Sequence, residues 1–270
     1  MTLVADNPPA TAPATAPATG SVANNTVLTL DGVSKRHGVG KNSVVALDGV
    51  SLTVQRGEFV CLVGASGCGK TTLLSLVAGL DRPTAGTVRT EGRTALMFQE
   101  SALLPWRTAV QNVELALKLG GVPRRDRRAQ ALEFLRMVHL SDFADKRPHE
   151  LSGGMRQRIA LARALAQRAD ILLMDEPFGA LDAITRDVLH DELERVVQER
   201  GLTVLFVTHN VREASRLGDR IVLLSSRPGR VVEEFDVLVE RPRRIESPGV
   251  SAIAATVTTR LREEVRRHAR

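Results

Sequence analysis

The sequence predicts an α/β fold with a mostly parallel sheet, and three observations lead to this prediction. Apolar runs of strand length alternate with helical segments over residues 171–224, which is typical of a parallel sheet wrapped by helices. A further apolar run, FVCLVG at 59–64, continues into a glycine-rich loop and a helix. Residues from about 109 to 169 show helical periodicity only, so we expect a helical segment inserted into the α/β core.

The remaining elements follow from local composition. Residues 1–25 are rich in Ala, Pro and Thr, and we expect a disordered tail there because they cannot bury enough apolar surface. Before the helical segment we expect strands at 27–33, 44–54 and 59–64, a helix at 70–79 and short strands between 87 and 99. After it we expect strands at 171–175, 203–208 and 220–224 and helices at 183–200 and 210–217. A C-terminal packing helix is indicated by one apolar face, formed by Ile253, Val257, Leu261 and Val265.

Composition excludes several classes of protein. With 43% hydrophobic and 25% charged residues, the chain has an ordinary globular balance. No apolar run approaches the roughly 18 residues that cross a bilayer, and no secretory signal is visible, so we expect a cytosolic chain. The net charge of +6 comes with arginine clusters, but aromatic residues are only 3%, so we expect solvated basic faces and no nucleic-acid partner. Contact with anionic lipid headgroups is an alternative for these clusters.

GASGCGKTT at 64–72 matches the phosphate-binding pattern G-x-x-x-x-G-K-[ST] in full. Its glycines let successive backbone amides converge on phosphates, Lys70 neutralises the β- and γ-phosphates, and the hydroxyl of Thr71 ligates Mg²⁺. We therefore expect ATP and Mg²⁺ as cofactors. The residues that we assign to nucleotide binding in this loop are Gly64, Ala65, Ser66, Gly67, Cys68, Gly69, Lys70, Thr71 and Thr72.

The chain has two cysteines, which fit neither a disulfide framework nor a metal site of known spacing. Cys61 lies in an apolar strand pattern and is expected in the core. Cys68 lies inside the phosphate loop, where neighbouring amides and Lys70 would lower its thiol pKa. One hypothesis is that thiol reagents inactivate the protein and ATP protects it; the alternative is that Cys68 merely fits the loop.

ILLMDEP at 171–177 ends an apolar strand in two adjacent carboxylates. Ligands of open α/β sheets bind at the carboxyl ends of the strands. Because neighbouring side chains on a strand point in opposite directions, we expect Asp175 and Glu176 to have different roles. Asp175 suits the Mg²⁺ shell, and Glu176 suits the general base that polarises the attacking water.

LSGGMRQR at 151–158 opens a helix about 20 residues before Asp175. Ser152 is a good N-cap, and Gly153 and Gly154 leave amides bare at the positive end of the helix dipole. The sequence therefore predicts a second anion site, which a phosphate-loop enzyme acting as a single chain would not need.

These three motifs, in this order, resemble the ATP-binding-cassette (ABC) family, and the resemblance covers roughly residues 27–240. It implies an ABC ATPase fold: a P-loop NTPase core with a mostly parallel sheet, an N-terminal antiparallel β subdomain and an inserted α-helical subdomain. It also implies a head-to-tail homodimer that closes over two ATP molecules. In such a dimer Ser152 and Gly154 contact the γ-phosphate held by the other subunit.

The resemblance assigns further residues one at a time. Gln99, the last residue of the predicted strand that ends in MFQ, resembles the glutamine that touches Mg²⁺ and the attacking water. Asp182, in FGALD, resembles the residue that crosses the dimer seam, and His209 resembles the switch histidine that contacts the γ-phosphate. Two positions depart from the family pattern: His37 stands where a tyrosine often stacks on adenine, and Asn210 stands where an acidic residue usually follows the histidine.

Several strings, among them ESALLPWRTAVQNVELAL and VLLSSRPGRV, resemble the ATPase subunits of nitrate, sulfonate and taurine importers. This resemblance implies a peripheral protein at the cytoplasmic face of the membrane, bound to a separate permease and serving a solute-binding protein indirectly. Leu104 and Trp106 are candidate permease contacts; the alternative for Trp106 is the core of the helical subdomain. We expect an ABC domain at 26–245, with its helical subdomain at about 100–169, and a helical extension at 246–270.

Two other functions are alternatives. A soluble ABC ATPase for cluster assembly or translation is the first alternative, although the chain shows neither tandem cassettes nor a long coiled-coil insertion. A simple P-loop kinase is the second, but it would leave LSGGMRQR without a purpose.

Overall fold

The computed structural model describes residues 25–38, 40, 43–179 and 181–268, so the tail expected at 1–25 lies almost entirely outside the described residues. The strands, in chain order, are β1 (Thr26–His37), β2 (Val44–Gln55), β3 (Phe59–Val63), β4 (Ala85–Thr90), β5 (Thr94–Met97), β6 (Ile171–Asp175), β7 (Thr203–Thr208), β8 (Arg220–Leu224) and β9 (Val231–Asp236). The helices are α1 (Lys70–Val77), α2 (Ala109–Leu119), α3 (Arg124–Met137), α4 (Gly153–Leu165), α5 (Ala183–Arg200), α6 (Val211–Leu217) and α7 (Pro248–His268).

The N-terminal strands form an antiparallel sheet in the order β2-β1-β4. Strand β2 alternates between buried and exposed residues along its second half, where Leu52 and Val54 are buried and Thr53 is exposed. This period of two is the pattern of a sheet with one face on the core. The antiparallel N-terminal subdomain implied by the family resemblance is confirmed.

The second sheet has six strands in the order β5-β6-β7-β3-β8-β9, all parallel except the β8–β9 pair. Strands β3, β6 and β7 are buried along their full length, as expected for strands covered on both faces. The carboxyl ends of three adjacent parallel strands, β6, β7 and β3, therefore lie side by side. The antiparallel edge strand β9 was not predicted, because its half-exposed sequence VVEEFD lacks a continuous apolar run.

Helices α2, α3 and α4 occupy the stretch between β5 and β6, in agreement with the predicted helical insertion. The apolar face predicted for α7 is confirmed at three of its four residues, because Val257 is buried and Ile253 and Leu261 pack against the core. The fourth residue, Val265, is 43% exposed. Among the helices that the structure describes, none combines the length and the hydropathy of a membrane span.

Candidate active site

The phosphate loop follows β3, whose neighbours in the sheet are β7 and β8. Gly67 and Gly69 have φ angles of +75° and +102°, a region that only glycine enters without strain. A Cβ at Gly69 would lie 2.7 Å from the carbonyl oxygen of Ala46, and one at Gly64 would lie 2.8 Å from Sγ of Cys68. The loop is therefore closely packed, against β2 at Gly69 and against the side chain of Cys68 at Gly64, and its glycines leave the amides free to form a cradle for phosphate.

Lys70 is the first residue of α1 and is buried. Its ammonium group donates hydrogen bonds to the carbonyl oxygens of Gly64, at 2.9 Å, and Ala65, at 3.0 Å. The lysine thus reaches back across the loop that precedes it. In this position the charge of Lys70 faces any anion that the loop holds.

Asp175 ends β6 and is buried. Burial raises the pKa of its carboxyl group, and a hydrogen bond from the side chain of Thr71 opposes this rise. The structure therefore brings together two of the three residues proposed for Mg²⁺, Thr71 and Asp175, both of which offer hard oxygen donors.

Glu176 lies outside the strand, in a turn with a φ angle of +45°. Its backbone N–H donates to the carbonyl of Val207 on β7, at 2.9 Å. The expectation that strand alternation sets the directions of the two acids is thus wrong in its reason, because Glu176 lies outside β6 and has a left-handed backbone conformation. Positive φ in a non-glycine residue is strained and is often found at functional sites.

The carboxylate of Glu176 is joined to His209 by a hydrogen bond of 2.9 Å between Oε2 and Nδ1. His209 follows β7, the neighbour of β6, so the sheet order explains why these two distant residues meet. The imidazole is 64% exposed and the carboxylate 21%. A partly shielded carboxylate, oriented by a histidine and open to solvent, can polarise a water molecule.

A cavity of about 460 Å³ lies beside the phosphate loop and Glu176. It brings the phosphate loop together with His37, Gln99 and Glu176, as the sequence predicted. Nε2 of His37 lies 3.4 Å from Oγ1 of Thr72, which places the imidazole next to the loop. The residues that line the cavity are His37, Val44, Ala46, Ser66, Gly67, Gly69, Lys70, Thr71, Thr72, Gln99, Glu176 and Arg227.

Eight of the predicted site residues are not among the described residues that line this cavity, namely Gly64, Ala65, Cys68, Ser152, Gly154, Asp175, Asp182 and His209. Ser152 caps α4, where its hydroxyl accepts from the N–H of Met155 at 3.2 Å, and it is exposed. Asp182 caps α5 by accepting from the N–H of Thr185 at 2.9 Å, a bond that lowers the pKa of this carboxyl. The N-cap predicted at Ser152 is confirmed, and the residue is exposed.

The hypothesis that Cys68 is a reactive thiol is wrong about its pKa. Cys68 is 1% exposed. Burial raises the pKa of its thiol, and the ammonium of Lys70, 3.8 Å from Sγ, opposes that rise without overcoming it. The sequence indicated the neighbouring charge but could not indicate how deeply the loop closes over the sulfur. Cys61 is buried, as predicted.

Behind the histidine lies a polar network that the sequence analysis missed. Glu213, on α6, accepts from the hydroxyl of Thr208 and lies 2.8 Å from Nε2 of the buried His190 on α5. Asn210, noted above for lacking a charge, caps α6 by accepting from the N–H groups of Arg212, at 3.1 Å, and Glu213. A signal was present, because Asn followed three residues later by Glu is the spacing of an N-cap and its first turn.

A second contact that the sequence did not predict joins α4 to the segment that follows β5. The side chain of Gln157, buried on α4, donates to the backbone carbonyl of Gln99. The segment that carries Gln99 is thereby tied to the helix that Ser152 caps. No signal in the sequence could have found this bond, since it joins residues 58 positions apart.

Comparison with known proteins agrees with this geometry. A family model described as "ABC transporter" matches residues 47–179. The taurine import ATP-binding protein of Rhizobium johnstonii is 45% identical, over 80% of this chain and 86% of its own. The aliphatic sulfonates import ATP-binding protein 1 of Mesorhizobium japonicum is 45% identical, over 89% of this chain and 91% of its own length. The bicarbonate transport ATP-binding protein of Synechocystis sp. is 42% identical, over 80% of each.

A solved structure gives the same result. The ATP-binding cassette MJ0796, a dimer in a post-hydrolysis state bound to ADP and Pi, superposes with a TM-score of 0.72 and 36% identity. The match covers 79% of this chain and 100% of that one. Since its relatives are this similar over most of both chains, the protein belongs to the ABC transporter family as one of its ATP-binding members.

Proposed function

We propose that this chain is the ATP-hydrolysing subunit of an importer that takes up a small anion through a separate permease. Members of the family couple ATP hydrolysis to transport, and the chain is an ABC ATPase. The observation that carries the assignment of its catalytic residues is the hydrogen-bonded pair of Glu176 and His209. This pair follows β6 and β7, next to the carboxyl end of β3 where the phosphate loop begins.

The cavity suits ATP hydrolysis through an in-line attack by water. Loop amides and Lys70 hold the phosphates, and Glu176 accepts a proton from the water as its oxygen bonds to the γ-phosphorus. The bond from that phosphorus to the bridging oxygen breaks, so ADP keeps the electron pair and Pi is released. His209 holds the carboxylate in place through its 2.9 Å hydrogen bond. We assign contact with the γ-phosphate to His209, and orientation of the water to Gln99, which lines the same cavity as Glu176.

The residues present fit Mg²⁺. Thr71 and Asp175 offer adjacent hydroxyl and carboxylate oxygens, and a buried carboxylate whose pKa is raised by burial gains from a nearby cation. When bound, the cation would neutralise charge on the phosphates. We assign Thr71, Asp175 and Gln99 to its shell.

Relatives also support a dimer. The matched cassette is dimeric and binds ADP and Pi. In this chain the exposed Ser152, together with Gly154 at the start of α4, offers bare amides and a hydroxyl to a neighbouring molecule. We propose a head-to-tail homodimer in which Ser152 and Gly154 complete the partner's ATP site and Asp182 lies at the seam.

Relatives named for the import of taurine and aliphatic sulfonates and for bicarbonate transport indicate a small anion as the cargo. We propose that the subunit works at the cytoplasmic face of the membrane, bound to its permease and stimulated indirectly by a loaded solute-binding protein. Nucleic acid is not a proposed partner. The test is the ATPase rate of the reconstituted complex. One loaded binding protein should raise the rate, and a chain that hydrolyses no ATP under any condition would refute the proposal.

A contact with the permease is proposed at Trp106. Its side chain is 68% exposed, which contradicts the alternative that it belongs to the core of the helical subdomain. Leu104, two residues earlier, is half-buried. Aromatic residues are enriched in protein–protein interfaces, so an exposed tryptophan is available for such a contact.

Replacing Trp106 with alanine is therefore expected to lower transport by about 10-fold or more, because loss of a central aromatic contact costs about 2 kcal/mol at interfaces. The ATPase rate of the isolated subunit should not change. Phe143→Ala is the matched control, since Phe143 is also an exposed aromatic residue at 40%. Equal losses of transport in both variants, or unfolding of Trp106→Ala, would contradict the assignment.

A further inference from the structure

The loop between β8 and β9, residues 225–230, has a closed and fixed shape. The N–H of Ser225 donates to the carbonyl of Arg230 at 2.9 Å, and the N–H of Arg230 donates to the hydroxyl of Ser225 at 2.9 Å. The same hydroxyl donates to the carbonyl of Pro228 at 2.7 Å. These bonds cross-link both ends of the loop, so its tip is held in one place.

The loop is also attached to β2 and to the phosphate loop. Gly229 donates to the carbonyl of Ala46 at 2.8 Å and accepts from the N–H of Asp48 at 3.0 Å. The guanidinium of Arg230 pairs with the carboxylate of Asp48. A Cβ on Gly229 would lie 2.2 Å from the carbonyl oxygen of Cys68, so only glycine allows this approach.

This attachment places Arg227 at the mouth of the ATP cavity. A terminal nitrogen of its guanidinium lies 3.4 Å from the position that a Cβ would take on Gly67. Arg227 lines the cavity together with Lys70. Whereas Lys70 donates to carbonyls of its own loop, Arg227 has no hydrogen-bond or ion-pair partner within the described part of the chain.

We propose that Arg227 binds the phosphate groups that ATP and ADP share, as a second cation beside Lys70. A guanidinium offers several N–H donors in a plane that matches phosphate oxygens. Its neighbour Gly67 belongs to the part of the loop whose amides cradle the α- and β-phosphates. The inference rests on the proposed ATP site, to which it adds a contact from outside the phosphate loop.

The test is the affinity of the full chain for ATP and for ADP, measured by calorimetry in the absence of Mg²⁺. Arg227→Ala should raise both dissociation constants by about three- to tenfold, because an exposed charged hydrogen bond is partly screened by solvent. Arg227→Lys should recover part of the loss. Arg89→Ala is the matched control, since Arg89 is an exposed arginine on β4 and should not change either constant.

Each result separates the inference from the proposed function. If the unaltered chain binds no ATP, the proposed function fails. If it binds ATP and Arg227→Ala binds both nucleotides as Arg89→Ala does, only the inference fails. A loss confined to ATP would also overturn it, because the contact would then be to the γ-phosphate. If Arg227→Ala has a lower unfolding temperature without nucleotide, the arginine stabilises the loop instead of binding phosphate, and the inference fails.

Discussion

Replacement of Glu176 by glutamine is expected to lower ATP turnover by about 10²–10⁴-fold, the usual contribution of a general base. Glutamine has nearly the same shape and can still accept the hydrogen bond from Nδ1 of His209, but it cannot take a proton from water. The phosphate loop and Lys70 are untouched. Affinity for ATP should therefore stay within about twofold, because only a transition-state interaction is lost.

Turnover is measured as Pi release by the purified chain, and affinity is measured by calorimetry. Glu91→Gln provides the control, because Glu91 is exposed and the same charge is removed away from the cavity. Loss of a general base should lower turnover by at least about 10²-fold. If turnover of Glu176→Gln is instead within about threefold of the control, another group activates the water. Loss of ATP binding would show instead that Glu176 supports the phosphate loop.

Replacement of Ser152 by aspartate is expected to reduce the ATPase activity of the purified chain by about 100-fold, although this residue lies outside the chain's own cavity. Aspartate is as good an N-cap as serine, so α4 should remain capped. It places a negative charge, however, at the site proposed to receive the γ-phosphate of the partner subunit. Repulsion between these like charges should prevent the closed dimer from forming over ATP.

The free energy of unfolding of Ser152→Asp should differ from that of the unaltered chain by less than about 0.5 kcal/mol, as measured by urea denaturation. Thr108→Asp is a matched control, because Thr108 caps α2 with its own hydroxyl and also forms a capping box. An active Ser152→Asp variant would mean that the LSGG segment is only a helix cap.

The sequence predicted most of the sheet because its central strands are buried on both faces. FVCLV, ILLMD and TVLFVT are continuous apolar runs, and each is a strand within one residue of the expected bounds. Helix α5 has the predicted bounds, since Asp182 caps its start and Gly201 ends it with a φ angle of +59°. Strand β9 carries no such signal, because its pairing with β8 at the sheet edge leaves it half-exposed.

The candidate site was predictable where a motif fixes the local backbone. The phosphate loop follows from the spacing of its glycines, Lys70 and Thr71 between a strand and a helix. What sequence could not give depends on packing between distant segments: the burial that raises the pKa of Cys68, and the contact of Gly229 with the phosphate loop that delivers Arg227. The buried pair of His190 and Glu213 is of the same kind, since it joins two helices.

The central claim is that two chains share each ATP site, and mixing two inactive variants tests it most directly. Lys70→Ala removes the phosphate-loop lysine, and Ser152→Asp blocks the proposed contact with the partner. In a mixed head-to-tail dimer both defects fall in one site, and the other site is intact. An equimolar mixture should therefore recover ATPase activity, up to about a quarter of the unaltered rate because half of the dimers are mixed and each has one intact site. No recovery, with mixed dimers demonstrated by differential tagging, would contradict the shared site.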